Sequence, residues 1–199
     1  MGRMLPTGKV SGTDTVAIAR DLLGRQLVIR DGSGVRMFRI LETEAYDGPD
    51  DKACHASRGR TARTGVLFGP PGHWYVYLCY GIHEMLNLVT GPEGYPAAVL
   101  IRGVSGFVGP GRVTKGLGID RRFNTRPATR ETDLWIEDDG YVVPPHEVVA
   151  GPRVGVDYAG PEWAAKPWRF VHRPGAGAQA RGDRRRLSGP STQRIRARG

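Results

Sequence analysis

The stretch QLVIRDGSGVRMFRILETEAYD, Gln26 to Asp47, decides the fold class of this chain. Two runs rich in apolar residues, Gln26–Arg30 and Val35–Glu44, flank the four residues Asp31-Gly32-Ser33-Gly34. Aspartate, glycine and serine between two such runs are typical of a β-hairpin, because these residues suit the positive φ angles of a tight turn. The stretch therefore predicts two neighbouring antiparallel strands.

The patterns on either side extend this arrangement. Thr13 or Asp14 is a candidate N-cap of a helix closed by Gly24, and a second short helix is predicted from Gly109 to Leu117. Further strands are predicted at Trp74–Tyr80, Met85–Thr90, Ala97–Val104, Leu134–Ile136 and Val154–Val156. Because hairpins rather than long helices join most strands, we predict an α+β chain, a single domain built on a curved, antiparallel-rich β-sheet with flanking short helices.

Composition indicates a globular protein that works inside the cell. Of its 199 residues, 39% are hydrophobic and 25% are charged. No run of about 18 apolar residues is present, so no membrane span is predicted, and the first residues lack the apolar stretch of a secretory signal. The two cysteines, Cys54 and Cys79, form no CxxC motif, which indicates a reducing compartment, the cytoplasm or nucleoid.

The positive charge is concentrated at one end of the chain. Residues 175–199 hold seven arginines and one aspartate, a net +6 of the total +9, which leaves +3 for residues 1–174. The end segment has hardly any large apolar side chains, so we predict a folded domain at 1–174 followed by a disordered basic tail at 175–199. Such a tail favours polyanions, although a solvated extension without a partner would have the same composition.

The end of the first hairpin carries the first candidate catalytic groups. Residues two apart on a strand share a face, so Glu42 and Glu44 are expected to project together. Glu44 lies nearer the strand's end, where a carboxylate could act as general base on a water molecule. A solvated or salt-bridged glutamate would look the same in the sequence, and His55 alone is an equally weak signal.

A second stretch, WYVYLCYG, begins at Trp74 and is rich in tyrosine. Tyr75, Tyr77 and Cys79 are predicted to face one side of their strand. Tyr80 precedes Gly81 at the expected hairpin end, where its ring would be exposed. An exposed aromatic ring at a tip can wedge between bases, and one on a pocket wall can stack on a base. An ordinary aromatic-rich hairpin is the alternative.

Together these stretches resemble the alkyladenine (3-methyladenine) DNA glycosylases of the monofunctional type. The likeness covers residues 14–173 and several long motifs in that family's order. The motifs are LETEAYDGPDDKACHASRGRTARTGVLFGPPGHWYVYLCYG, Asn87 in MLNLV, Arg102 in AVLIRG, GPGRVTKGLGI, GPRVGVDYAG and WAAKPWRF. The chain departs from the family in the short segment Gly103–Val108, where relatives carry a longer helical insertion, and at Thr64, where relatives often have asparagine.

The resemblance implies a base-excision-repair enzyme that flips out alkylated, and also deaminated, purines such as 3-methyladenine. It implies that Glu44 is the catalytic base and that Arg102 helps to hold the water with a backbone carbonyl near Val154–Val156. The other implied roles are the base pocket for Tyr46, His55 and Tyr77, a test of the exocyclic group for Asn87, and intercalation for Tyr80. The implied partner is double-stranded DNA with a damaged purine, bound by a monomer without cofactor, metal or membrane.

Two electrostatic expectations follow from these roles. Arg102 close to Glu44 should keep the carboxylate ionised at neutral pH. Aromatic rings in the pocket should attract a positively charged alkylated purine through cation–π interaction. Since no lysine matches a family nucleophile, no lyase chemistry at the abasic site is expected.

Two other functions remain possible from the sequence. One is a metal-dependent hydrolase that uses Glu42, Glu44, His55 and His73, although their spacing fits no recognised metal motif. The other is a non-catalytic nucleic-acid-binding protein in which the basic tail makes most of the contacts. It would bind DNA without releasing a base.

Overall fold

The computed structural model describes residues 2–175, so nearly all of the predicted basic tail lies outside the described residues. The strands are β1 Arg3–Met4, β2 Gln26–Asp31, β3 Gly34–Asp47, β4 Trp74–Cys79, β5 His83–Val89, β6 Ala97–Val104, β7 Phe107–Val108, β8 Leu134–Asp138, β9 Val148–Gly151 and β10 Arg169–His172. The helices are α1 Thr7–Val10, α2 Thr15–Asp21, α3 Pro110–Leu117 and α4 Pro161–Ala165. Short 3₁₀ turns occur between them, among them His55–Arg58 and Asp157–Ala159.

The strand β3 organises the sheet. Its first half pairs with β2, and its second half pairs with β6 on one edge and β10 on the other. The main order is β1-β8-β2-β3-β6-β5-β4, all pairs are antiparallel, and the sheet of ten strands is not closed. The prediction of an α+β single domain on an antiparallel-rich sheet is confirmed.

Local sequence signals explain the two elements that begin this architecture. The Asp31 carboxylate accepts a 2.8 Å hydrogen bond from the Ser33 N–H inside the β2–β3 turn, and Gly34 there has φ +103°. Asp14, one of the two predicted caps, accepts a 2.8 Å hydrogen bond from the Ala17 N–H at the start of α2. Both the predicted hairpin and the predicted helix are therefore present.

The central strands have two different faces. Alternate residues on one face, including Val76, Leu86, Val99 and Ile101, are buried in the main core against the apolar sides of α2 and α3. The residues between them, which point to the other side of the sheet, form the floor of a cavity. Because side chains alternate along a strand, one face of the sheet packs into the core and the other face can form a site.

Two local predictions were wrong, and some short strands were not predicted. Val154–Val156 is a loop rather than a strand, because Gly155 has φ +74° and the Val154 N–H bonds a side chain. The strand predicted to end at Tyr80 ends at Cys79. The strands β9 and β10 were missed because each has only four residues, too few to show a period. The short segment Gly103–Val108 is a tight β6–β7 hairpin.

Candidate active site

The register of four neighbouring strands builds the cavity floor. Tyr75 lies opposite Asn87, Asn87 lies opposite Leu100, and Leu100 lies opposite Glu44. Residues directly opposite each other in antiparallel strands point to the same face of the sheet. Side chains from distant parts of the sequence are therefore aligned in one row across β4, β5, β6 and β3.

Glu44 is at the end of this row and its side chain is completely buried, with 0% exposure. Its Oε1 accepts a 2.8 Å hydrogen bond from the backbone N–H of Val154, and its Oε2 accepts one of 2.9 Å from the Tyr46 hydroxyl. The Arg102 Nε is 3.4 Å from Oε1, and Arg102 Nη1 is 3.4 Å from Oε2. The carboxylate is thus fixed from three directions.

Arg102 connects the two glutamates that the sequence placed on one face. Its Nε donates to Glu42 Oε1 at 3.1 Å, and the Arg169 Nη1 donates to the same oxygen at 3.1 Å. The β3–β6 register shifts on both sides of Glu42. Such bulges re-aim side chains next to functional sites. Glu42 is therefore held by two arginines, whereas Glu44 has mixed polar partners and no exposure.

The pKa of Glu44 is raised above its ordinary value, and the largest cause is burial, which disfavours the charged form. Arg102, the Val154 N–H and the Tyr46 hydroxyl act in the opposite direction. The expected influence of Arg102 is present, but burial outweighs it. Burial beside Glu44 also raises the pKa of Tyr46, so the phenol stays protonated and donates.

A cavity of about 730 Å³ opens over this floor. Ligand pockets commonly fall between about 300 and 1,000 Å³, a range that includes room for one nucleotide base and its sugar. Tyr46, Arg102 and Val154 line it, whereas Glu44 lies behind these three residues. Other residues of the wall are His55, Tyr77, Asn87, Leu100, Tyr80 and Tyr158.

Two rings line one wall of the cavity, and a third ring lies behind them. His55 and Tyr77 meet edge to face with centroids 4.6 Å apart, and Tyr75 lies behind at 5.1 Å from Tyr77. The His55 Nδ1 is 3.1 Å from the Tyr75 hydroxyl. Burial, helped by the charge of Arg63, lowers the pKa of His55 to about 4, so the imidazole is neutral at pH 7. Tyr75 has no implied role in the sequence, although its alternation with Tyr77 marks the shared face.

Asn87 is buried and has its amide nitrogen engaged by the backbone. The Nδ2 donates to the carbonyl oxygens of Tyr75 at 3.1 Å and Met85 at 3.3 Å. Those two bonds use both N–H groups, which leaves Oδ1 as the atom that can accept from a ligand. Asn87 is therefore placed to recognise a hydrogen-bond donor.

Tyr80 lies at the tip of the β4–β5 hairpin, at the edge of the cavity, and is 90% exposed. Its φ is +51° and that of Gly81 is +70°, which is the pattern of a type I′ turn closed by the Ile82 N–H to Cys79 carbonyl bond. A bulky residue rarely adopts positive φ. The turn therefore places the Tyr80 ring in solvent, although the positive φ at this position is unfavourable for tyrosine.

A buried ion pair behind the cavity was missed from the sequence. Arg153 and Asp51 both have 0% side-chain exposure, and Arg153 Nη2 donates to Asp51 Oδ1 at 2.9 Å. The guanidinium lies between the rings of Tyr46 and Trp168, about 5 Å from each centroid. Arg153 directly precedes Val154 and contacts the Tyr46 ring. The ion pair therefore stabilises the positions of Val154 and Tyr46, two of the residues that bond Glu44.

The groups required for the metal-dependent alternative are not assembled. The His73 Nδ1 is 3.1 Å from the Pro70 carbonyl oxygen, and His55 bonds Tyr75. Within residues 2–175, no group of three or more histidine, cysteine, aspartate or glutamate side chains is arranged to hold a metal ion. No helix in that part of the chain is long and apolar enough to cross a membrane.

Comparison with known proteins assigns the chain to a family. The family described as methylpurine-DNA glycosylase matches residues 9–108 and 106–175. Three relatives carry the name "Putative 3-methyladenine DNA glycosylase". They come from Anaeromyxobacter dehalogenans strain 2CP-1 (49% identical, 84% of this chain and 85% of the relative), Methanocella arvoryzae (45%, 85% and 94%) and Legionella pneumophila strain Paris (43%, 79% and 88%). The chain belongs to the methylpurine-DNA glycosylase family.

Proposed function

We propose that the protein is a monofunctional DNA glycosylase that acts as a monomer on double-stranded DNA and removes alkylated and deaminated purines. The observation that carries this proposal is the buried Glu44 carboxylate, held by Val154, Tyr46 and Arg102 directly behind the lining of a cavity of about 730 Å³. A base stacked in a duplex hides its glycosidic bond, so the nucleotide must leave the helix to reach this cavity.

The chemistry proposed for Glu44 is proton transfer from one water molecule. The water oxygen bonds to the anomeric carbon, its proton passes to the carboxylate, and the C–N electron pair leaves with the base. The negative charge of Glu44 also stabilises the positive charge that develops on the sugar. Arg102 lines the cavity next to Glu44 and is placed to orient that water.

The wall residues are proposed to hold the extruded base. Tyr46 and Tyr77 offer ring faces, and His55 is neutral, so it can donate or accept one hydrogen bond at Nε2. Asn87 offers the acceptor Oδ1. A base with an alkylated ring nitrogen leaves readily, so a positioned water and one carboxylate suffice for its release.

Product analysis tests the proposal. The substrate is a duplex with a single hypoxanthine or 7-methylguanine, and the expected products are the free base and an unbroken strand that breaks only on alkali treatment. Chelation with EDTA should change nothing. Binding without release would favour the non-catalytic alternative. A covalent adduct trapped by borohydride would contradict the monofunctional assignment and direct attention to Lys52, a lysine in the cavity lining.

Replacing Tyr80 with serine should weaken extrusion by roughly 1–3 kcal/mol, the usual value of one aromatic–base stack. Because the ring is 90% exposed, the free energy of unfolding should stay within about 0.5 kcal/mol of the wild type. The measurement is single-turnover release at subsaturating enzyme, for one lesion in a matched duplex and opposite a gap. The loss should be larger in the matched duplex.

Ile82→Ser is the matched control for this prediction. Ile82 lies on the same turn and is 74% exposed, but its side chain is aliphatic and does not line the cavity. We expect a smaller loss for Ile82→Ser than for Tyr80→Ser. Equal losses for Tyr80→Ser in all duplex contexts would show that Tyr80 does not fill the vacated position.

A further inference from the structure

The cavity is lined by positive charge. Lys52, Arg58, Arg63 and Arg102 all contribute to its wall, and none of its described lining residues is an aspartate or a glutamate. Arg102 is balanced by Glu42 and Glu44 behind the wall. Within residues 2–175, the other three cations form no ion pair with a carboxylate. A ligand in this cavity therefore meets a net positive surface.

Arg63 is the one of these three cations that lies against the proposed base-binding rings. Its guanidinium carbon is 4.8 Å from the centroid of the Tyr77 ring. Its charge also reaches the neighbouring rings, because it contributes to the lowered pKa of His55 and acts to lower the pKa of Tyr75 against the raising effect of burial. The Tyr77 ring thus already makes a cation–π contact with the Arg63 side chain of the protein itself.

We propose that Arg63 is a specificity-determining residue that disfavours positively charged bases and shifts the preference of the pocket toward neutral damaged purines. This inference rests on the proposed function. A base stacked on either face of Tyr77 would lie within several ångströms of the guanidinium. Arg63 is exposed and Tyr77 is half-buried, so solvent screens this repulsion, but at that separation it is still enough to change relative binding severalfold, up to about tenfold. A neutral base is not repelled in this way.

The position of Arg63 reverses one expectation from the sequence. Aromatic rings alone would favour a cationic alkylated purine, but Tyr77 in this protein already has a cation beside it. Neutral His55 adds no further repulsion, since its pKa of about 4 lies far below pH 7. Among these three cations, Arg63 is therefore the one whose contact with Tyr77 places its charge beside a base held on this wall.

The experiment compares two lesions in the full-length protein at pH 7. One duplex contains 7-methylguanine, whose base is cationic in DNA, and the other contains hypoxanthine, which is neutral. Single-turnover release is measured below saturation for the wild type, Arg63→Gln, Arg63→Lys and Arg58→Gln. Comparing each duplex across the variants cancels differences in base pairing and in intrinsic lability.

Arg63→Gln is expected to raise the ratio of 7-methylguanine to hypoxanthine release about 5- to 10-fold. Arg63→Lys keeps the charge, so its ratio should stay within about twofold of the wild type. Arg58→Gln removes the same charge from the same cavity, but within residues 2–175 Arg58 makes no cation–π contact with a ring, so its ratio should also be unchanged, although both rates fall as phosphate attraction weakens.

An unchanged or lower ratio for Arg63→Gln would overturn the inference, and so would an equal rise for Arg58→Gln. The failure of the underlying function looks different. A wild-type protein that released neither base would overturn both the proposed function and this inference.

Discussion

Replacing Glu44 with glutamine is expected to slow single-turnover base release by at least about 100-fold. Glutamine keeps the size of the side chain and an oxygen that can accept from the Val154 N–H, but it cannot take a proton from water. The measurement is the rate of release at saturating enzyme from a duplex with one hypoxanthine. Binding of the same duplex should stay within severalfold of the wild type, because Glu44 lies behind the cavity wall.

Stability provides an independent control for this variant. Folding raises the pKa of Glu44, so the stabilising contribution of its neutral form is present below the unfolded pKa and is lost as the pH rises through the folded pKa. Above the folded pKa the ionised carboxylate therefore lowers stability, and in that pH range Glu44→Gln should unfold at the same temperature as the wild type or higher.

The matched substitution Glu42→Gln should have a smaller effect on the rate. Glu42 points to the same side of the sheet, but Arg102 and Arg169 both bind its Oε1 and hold it as an ion-pair partner. If Glu44→Gln released base at nearly the wild-type rate and Glu42→Gln did not, the catalytic base would be Glu42.

Replacing Asp51 with asparagine should lower the free energy of unfolding by about 3–5 kcal/mol, because it leaves the Arg153 guanidinium buried without a countercharge. The measurement is urea unfolding at pH 7. Combining Asp51→Asn with Arg153→Met should cost less than the sum of the two single changes, since no unpaired charge then remains.

Asp133→Asn is the surface control for this prediction. Asp133 pairs with Arg30 at 3.3 Å, but about half of each side chain is exposed. Its φ of +65° suits asparagine as well as aspartate. The expected loss is below about 1 kcal/mol. An Asp51→Asn variant that loses no more than Asp133→Asn would show that the buried pair does not stabilise the cavity wall.

Much of the fold could be predicted because its signals are local. The turn Asp31–Gly34, the Asp14 cap and the apolar runs each act over a few residues, and the structure contains the elements that they predict. The shared face of Tyr75 and Tyr77 also follows from strand alternation alone. Once strands are joined by tight turns, antiparallel pairing of neighbours follows.

The completed site could not be predicted because its contacts join distant segments. Arg153 and Asp51 are 102 residues apart, and Val154 is 110 residues from Glu44. Contacts between residues so far apart leave no periodic pattern in the sequence. The position of Arg63 beside Tyr77 depends on how the loop after His55 folds back over β4. Resemblance to a family indicated which residues to compare, but the burial that raises the pKa of Glu44 is a property of the assembled sheet.

The pH dependence of single-turnover base release tests the central claim, that Glu44 is the general base, most directly. Only the ionised carboxylate accepts a proton, so the wild-type rate at saturating enzyme should rise with pH, with an apparent pKa above the ordinary 4.5 of glutamate. That rise should be absent from the slow residual reaction of Glu44→Gln. A rise that persists in Glu44→Gln, or a wild-type rise centred near the pKa of about 4 of His55, would contradict the account.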